Sequence, residues 1–206
     1  INVAELLAAK GVEISAALNA GYQAIANLGT SRSWIGNQYN NVVNALNSHI
    51  DTLNSLIRTS IAEIPDALST AAQNYAIADG ISVRAAAPEN VTQIEEVQKP
   101  SHRDGEIVCK DGEINDACSN FTNNFQTAAS EIASYRSIFH EICNTDWVGA
   151  AMESYSSAIE GFAISASTAS ADINNAITSN MREALDILQG AESNTQQVAA
   201  SQISHN

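Results

Sequence analysis

Basic residues are scarce in this sequence, which has 9 Lys and Arg against 23 Asp and Glu and a formal net charge of −14 at pH 7. The basic residues are scattered and form no stripe that could neutralise a phosphate backbone, so we expect no nucleic-acid partner. No apolar run approaches the roughly 18 residues of a membrane-spanning helix, so we expect no membrane insertion. The first residues lack a basic segment followed by an apolar core, so no general secretory signal peptide is expected.

Proline and aromatic residues are also few, with 3 prolines and 5% aromatic content, whereas 45% of the chain is hydrophobic. That composition, rich in alanine, serine and asparagine, favours long helices that approach closely through small side chains. It is not typical of a β-sandwich.

Cysteine occurs only three times, too sparsely for a disulfide framework in a chain of 206 residues. Cys109 and Cys118 are close enough in sequence to form one disulfide. Cys143 cannot reach Cys118 if one helix joins them, because it would place them roughly 37 Å apart. The alternative is three thiols without a function.

Catalytic signatures are absent. The sequence has no Gly-x-Ser-x-Gly, P-loop or His-Glu-x-x-His motif, and no Glu-x-x-His pair of a di-iron bundle. The spacing of His102, Cys109, Asp111 and Cys118 matches no zinc module. We therefore expect a non-enzymatic protein without a cofactor or a metal site.

Apolar residues recur at steps of four and three over residues 2–30, from Leu7 to Leu28, which predicts a helix with a coiled-coil type of seam. Gly11 and Gly21 lie in this seam. They weaken the helix but permit a neighbour to approach closely.

Three further helices are predicted from the same spacing. The second begins after Gly36 and continues to about Arg84, with a kink or break expected at Pro65, which lacks a backbone N–H group. The third covers residues 118–143, and the fourth continues from Val148. Between the second and third, residues 86–117 contain two prolines and eight acidic residues, which predicts a solvated linker with a short strand or hairpin near Glu106.

Both tryptophans of the chain are followed two residues later by glycine, in the triplets Trp34-Ile35-Gly36 and Trp147-Val148-Gly149. Each triplet lies between two predicted helices, which indicates an internal duplication of one helix–turn–helix unit. Tryptophan buries a large area and can close a hairpin, and the glycine allows a tight backbone or close helix approach. The alternative is that each triplet is only a hairpin corner.

This pattern predicts an all-α fold with a first helical hairpin at residues 1–85, a linker at 86–117 and a second hairpin at 118–206. Neither hairpin can bury its apolar face alone, so we predict that they pack together as a four-helix bundle. The linker can reach about 100 Å when extended, whereas a first helix is only roughly 40 Å long. This length favours antiparallel hairpins, with the two turns at opposite ends.

The chain resembles the WXG-motif family, the small early-secreted-antigen-like substrates of the type VII (ESX) secretion system of Gram-positive bacteria and actinobacteria. The resemblance covers both halves, so the chain looks like two such proteins fused in tandem. It implies export by a route that needs no signal peptide, with the membrane ATPase of that system as partner. Because the fused halves would bury each other's core, we expect a monomer, with at most weak self-association.

The family carries an export signal late in the second helix, a tyrosine followed four residues later by Asp or Glu, and Tyr75 and Asp79 fit this pattern. Residues four apart share one helix face and would form a single recognition spot. By resemblance, the Trp147 turn with Gly149 would complete that surface, whereas Trp34 would only close its hairpin. The alternative is an ordinary tyrosine at the end of a packing stripe.

Two other functions stay open from the sequence. The chain could be a chaperone or targeting adaptor for a larger secreted effector or toxin, with which it would co-purify. It could also be a structural coiled-coil protein of the cell surface that serves as a spacer. Export of such a spacer would not depend on Tyr75 and Asp79.

Overall fold

The computed structural model describes residues 3–78, 80, 94–146 and 149–203, including all side chains except those of 143–146 and 203. The predicted all-α class is confirmed, since α-helices and one π-helical turn hold most of this part of the chain and the only strands in it are two residues long. The helices are α1 (Val3–Thr30), α2 (Asn37–Ser48), α3 (Ile50–Arg58), α4 (Ile64–Ala78), α5 (Asp111–Asp146) and α6 (Ala150–Ile203), and the strands are β1 (Trp34–Ile35) and β2 (Val108–Cys109).

The predicted second helix is divided into three pieces. A first discontinuity lies at His49, whose N–H group bonds back to the carbonyls of Leu46 and Asn47. The second is the π-helical turn Thr59–Glu63, which joins α3 to α4. Pro65 is the second residue of α4 and is buried. The predicted kink or break does not occur at Pro65 itself. The helix instead widens into one π-helical turn just before the proline.

Helix α1 runs antiparallel to α5. Lys10 Nζ lies 2.8 Å from a carboxylate oxygen of Glu131 near one end, and Ser33 contacts Glu113 just beyond the other end of α1. Helix α5 also packs along α6, and α2 packs against α6. We call the end that holds the Trp34 turn and the start of α5 the proximal end. The distal end holds the end of α5 and the start of α6.

Small residues allow α1 to lie deep among its neighbours. A Cβ atom on Gly11 would come within 2.8 Å of the carbonyl carbon of Ser60, and one on Gly21 within 3.0 Å of the ring of Phe125. The prediction that these two glycines permit close helix approach is confirmed. Around them lies a core of buried aromatic and aliphatic side chains that includes Tyr22, Phe121, Phe125, Tyr135 and Phe139.

The acidic linker differs from its prediction. Helix α5 begins at Asp111 and not at residue 118, and its added turns bury Ile114 and Ala117. These two residues continue the seam backwards from Phe121 at steps of three and four, and the acidic residues of the first turn suit the positive end of the helix dipole.

Residues 94–110, which we call the strap, lie along α1, α2 and α3 and are not a free solvated segment. Val97 of the strap is 3% exposed, and the backbone carbonyl of Glu95 accepts hydrogen bonds from Ser15 at 2.7 Å and Asn19 at 3.2 Å. The predicted short strand is β2, but its partner is the Trp34 turn. Trp34 is paired with Cys109 and Ile35 with Val108, in antiparallel register.

Asparagine side chains of α2 and α3 hold the strap. Four of them lie at steps of four, three and seven along one helical face. Each makes a hydrogen bond to the strap, which runs in the direction opposite to that of the two helices. The bonds are Asn40 Oδ1 to Arg103 N (2.8 Å), Asn44 Oδ1 to His102 Nε2 (2.7 Å), Asn47 Nδ2 to the carbonyl of Pro100 (3.3 Å) and Asn54 Oδ1 to Val97 N (2.8 Å). Because an amide side chain both donates and accepts, such a row can hold an extended backbone that has no strand beside it.

The substitution Asn54→Ala is expected to destabilise the protein by about 1–2 kcal/mol, because it leaves the N–H group of the buried residue Val97 without its acceptor. Amide hydrogen exchange at Val97 should become faster, while exchange in the α1–α5 core should change only with global stability. Asn41→Ala, at an exposed position of α2, is the matched control and should change neither quantity. Unchanged exchange at Val97 in Asn54→Ala would contradict the role given to this hydrogen bond.

Candidate functional site

The Trp34 turn is built around a buried indole. Trp34 is 1% exposed and meets the ring of Tyr39 edge-on, at a centroid distance of 5.8 Å. Gly36 follows with a φ of 120°, a backbone conformation that favours glycine. The N–H group of Gly36 bonds to the carbonyl of Arg103 at 3.2 Å, so the strap also fixes the turn. The predicted need for glycine at this position is confirmed.

Gly149, the glycine of the second triplet, has nearly the same φ angle as Gly36. Gly149 has a φ of 119°, and its carbonyl accepts the N–H of Glu153 at 3.2 Å, the first hydrogen bond of α6. The carbonyl of Gly36 likewise accepts the N–H of Asn40 at 3.1 Å at the start of α2. Trp147 lies outside the described residues. Gly36 and Gly149 thus share their φ angle and a carbonyl that accepts the N–H group four residues later, at the start of a helix.

Tyr75 lies in the last turn of α4 and is 51% exposed, whereas Asp79 lies outside the described residues. The beginning of α4 is at the distal end, because Tyr155 of α6 donates a hydrogen bond to the carbonyl of Ala67 at 3.0 Å. Tyr75 is about two turns, or roughly 12 Å, further along the helix. Most residues of α4 after Leu68 are exposed or half-buried, so this part of the helix extends beyond the main core.

Cys109 and Cys118, which the sequence allowed either to form a disulfide or to stay as thiols, are both free thiols. Cys109 is held in β2 opposite Trp34, and its Sγ atom donates to a carboxylate oxygen of Asp111 at 3.1 Å. Cys118 is 8% exposed and packs in the core, because α5 begins before it and turns it inwards. Burial, together with the Asp111 carboxylate, raises the pKa of Cys109 to about 12. Burial also raises the pKa of Cys118. The side chain of Cys143 is outside the described residues.

A surface ion-pair cluster joins α5 to α6 away from both turns. One carboxylate oxygen of Glu160 lies 2.6 Å from Arg136 Nε and 2.7 Å from His140 Nε2. The hydrogen bond from Arg136, followed by that from His140, lowers the pKa of Glu160. Sequence reasoning missed this cluster because the two helices meet only in the folded chain. It contains one carboxylate, and no group of three His, Cys, Asp or Glu side chains among the described residues is placed to hold a metal ion.

None of the described helices has the length and apolar character needed to cross a bilayer. Comparison with protein-family models, with curated proteins and with solved structures finds no significant match to this chain.

Proposed function

We propose that this chain is a tandem WXG-motif protein, a secreted and non-enzymatic substrate or carrier of a type VII secretion system. The observation that carries the proposal is the matching backbone of Gly36 and Gly149, each with a φ near 120° and each starting a helix. In this proposal the two hairpins form one four-helix bundle, equivalent to a WXG heterodimer within a single chain. The antiparallel contact of α1 with α5 supports that arrangement.

The proposed export surface lies at the distal end. Tyr75 is half exposed on a part of α4 that extends beyond the main core, where a secretion component could reach it. Asp79, four residues later, would share its helical face. Gly149 lies between α5 and α6 at this end, and Trp147 would complete the proposed surface. The proposed partner is the membrane ATPase of the secretion system.

The Tyr75→Ala variant should no longer be exported from a strain with a working type VII system, because the recognition spot loses its aromatic side chain. The measurement is the amount of protein in the medium relative to the amount inside the cells. Ile77→Ala is the matched control, since Ile77 is 68% exposed on the same helix but two residues away and therefore on another face. It should be exported like the parent protein.

Undiminished export of Tyr75→Ala would contradict the proposal and favour a structural spacer. Equal loss of export in Tyr75→Ala and Ile77→Ala would contradict a specific signal at Tyr75. Thermal unfolding of both purified variants should stay close to that of the parent, because Tyr75 is half exposed and Ile77 is 68% exposed.

A further inference from the structure

The proximal end, opposite the proposed export surface, contains an open cleft of about 470 Å³. Three separate parts of the chain form it: the Trp34 turn with the start of α2, the strap, and the last part of α6 that reaches this end. Its central lining residues include Trp34, Gly36, Asp104, Ile107, Ile187 and Leu188. No two of these three parts adjoin in sequence, so the cleft exists only in the folded protein.

Two large aliphatic side chains are exposed at this cleft. Ile107 of the strap is 76% exposed and Ile187 of α6 is 49% exposed, and both line the cleft. The other strongly exposed aliphatic residues, such as Val12 and Ile164, do not line it. Isolated exposed apolar side chains are normal on a soluble protein, whereas two that share a concave surface can act together as a binding site.

The charge around the cleft is negative. Asp104 is the one charged residue among the lining residues. Of the charged residues directly next to a lining residue in sequence, three are acidic (Glu106, Asp186 and Glu192) and one, Arg103, is basic. Lys110, the basic residue of the strap nearest to Ile107 in sequence, forms an ion pair with Glu113 at 3.1 Å. A partner that enters this cleft therefore meets carboxylates with few competing cations, and cationic groups on that partner would be favoured.

The walls of the cleft are fixed before any partner arrives. Asn40 accepts from the N–H of Arg103 at 2.8 Å and donates to Asp104 at 2.7 Å, so one side chain holds two adjacent strap residues. Gly105 has a φ of 131°, which lets the strap turn sharply just before Ile107. On the other side, Gln189 of α6 donates to Asp111 at 3.0 Å. A site ordered in advance loses little conformational entropy on binding.

We propose that this proximal cleft is a docking site for a protein segment that inserts a bulky aliphatic side chain between Ile107 and Ile187 and carries Lys or Arg on either side. The aliphatic contact provides affinity through burial of apolar surface, and the carboxylates select the charge of the flanking residues. The site lies at the other end of the molecule from Tyr75. The protein would thus present two independent surfaces, and the docking proposal does not rest on the proposed export signal.

The test is binding of a fluorescein-labelled amphipathic peptide of 14 residues made of leucine and lysine, measured by fluorescence anisotropy on the full chain. A peptide with glutamate in place of every lysine is the charge control. The double variant Ile107→Ser with Ile187→Ser should bind the leucine–lysine peptide at least about tenfold more weakly, because it removes both aliphatic contacts. The matched control is Val12→Ser with Ile164→Ser, which removes equally exposed aliphatic side chains elsewhere and should leave the affinity unchanged.

Backbone amide NMR locates the binding. Addition of the leucine–lysine peptide should shift the signals of Gly36 and Gly105, which line the cleft, and should leave Gly161 in the first quarter of α6 unshifted. The proposal is overturned if both double variants lose affinity equally, if the glutamate peptide binds equally well, or if the shifts are spread over the whole acidic surface. Tyr75→Ala should bind the peptide normally, so failure of the export experiment would leave this result unaffected.

Discussion

The substitution Gly11→Val is expected to destabilise the protein by about 3 kcal/mol, because its side chain must enter space already filled by the π-helical turn. A Cβ atom alone at Gly11 would lie 2.8 Å from the carbonyl carbon of Ser60 and 2.9 Å from its carbonyl oxygen. Both are backbone atoms, so no side-chain rotation can relieve the contact. Helix α1 and the π-helical turn would have to separate, and the core that they share would lose contacts along its length. Denaturant unfolding of the parent and the variant measures the effect.

Gly161→Val is the matched control for Gly11→Val. Gly161 also lies inside a helix, but a Cβ atom there would meet nothing within 4 Å. Valine is a somewhat better helix former than glycine, so stability should stay within about 0.5 kcal/mol of the parent. Gly11→Ala should fall between the parent and Gly11→Val. If Gly11→Val were as stable as Gly161→Val, the close approach of α1 to Ser60 would be wrong.

The substitution Tyr135→Phe is expected to cost about 1–3 kcal/mol, more than usual for the loss of one hydroxyl group. The reason lies at Pro65. In the π-helical turn, the N–H of Ile64 bonds to the carbonyl of Thr59, so the next carbonyl, that of Ser60, would require the N–H of residue 65. Proline has none. The hydroxyl of Tyr135 on α5 supplies the missing donor, at 3.0 Å from the carbonyl oxygen of Ser60.

Tyr22→Phe is the control for that prediction. The Tyr22 hydroxyl is also buried and also donates to a backbone carbonyl, that of Leu46, at 2.8 Å. However, the Leu46 carbonyl also accepts the N–H of His49 at 3.1 Å and keeps a donor when the hydroxyl is removed. Tyr22→Phe should therefore cost less than Tyr135→Phe, and equal costs would contradict the role assigned to Pro65.

A double-mutant cycle tests the role of Pro65 directly. In a Pro65→Ala background residue 65 regains an N–H group, so the Ser60 carbonyl can accept a donor from its own helix in either the π or the α register. Tyr135→Phe should then cost at least about 1 kcal/mol less than it does beside proline. Strictly additive costs would show that the contribution of the Tyr135 hydroxyl does not depend on the proline.

Local signals in the sequence predicted several elements well. The steps of four and three indicated α1 and the main part of α5, because a helix buries one stripe and that stripe recurs at the helical period whatever the partner is. The conformation at Gly36 followed from its place just before a helix that starts after a tight turn. The start of α5 was placed too late, because Ile114 and Ala117 lie in an acidic segment whose composition suggested solvent. The apolar spacing of these two residues with Phe121 indicated the correct, earlier start of the helix.

The strap was predicted as a solvated linker for a different reason. Most of its residues are polar or charged, and only Val97 and Pro100 among residues 94–110 are buried. A row of asparagines on α2 and α3 orders the strap, and the sequence pattern did not single out these residues. An asparagine that binds water and one that binds a backbone look the same in a sequence, so the difference appears only when the strap lies beside the row.

The sequence by itself determined the helical class, the glycines just before α2 and α6 and the seams through which the helices pack. These depend on local backbone preference and on the period at which apolar residues recur, both of which act within a few residues of each other. The tertiary structure alone decided that the Tyr135 hydroxyl donates to the Ser60 carbonyl, that asparagines hold the strap and that Ile107 and Ile187 line one cleft. Each of these pairs is separated by many tens of residues, and each contact is directional or concave. A pattern of polarity records that a residue is buried or exposed, but it does not record which distant group lies opposite.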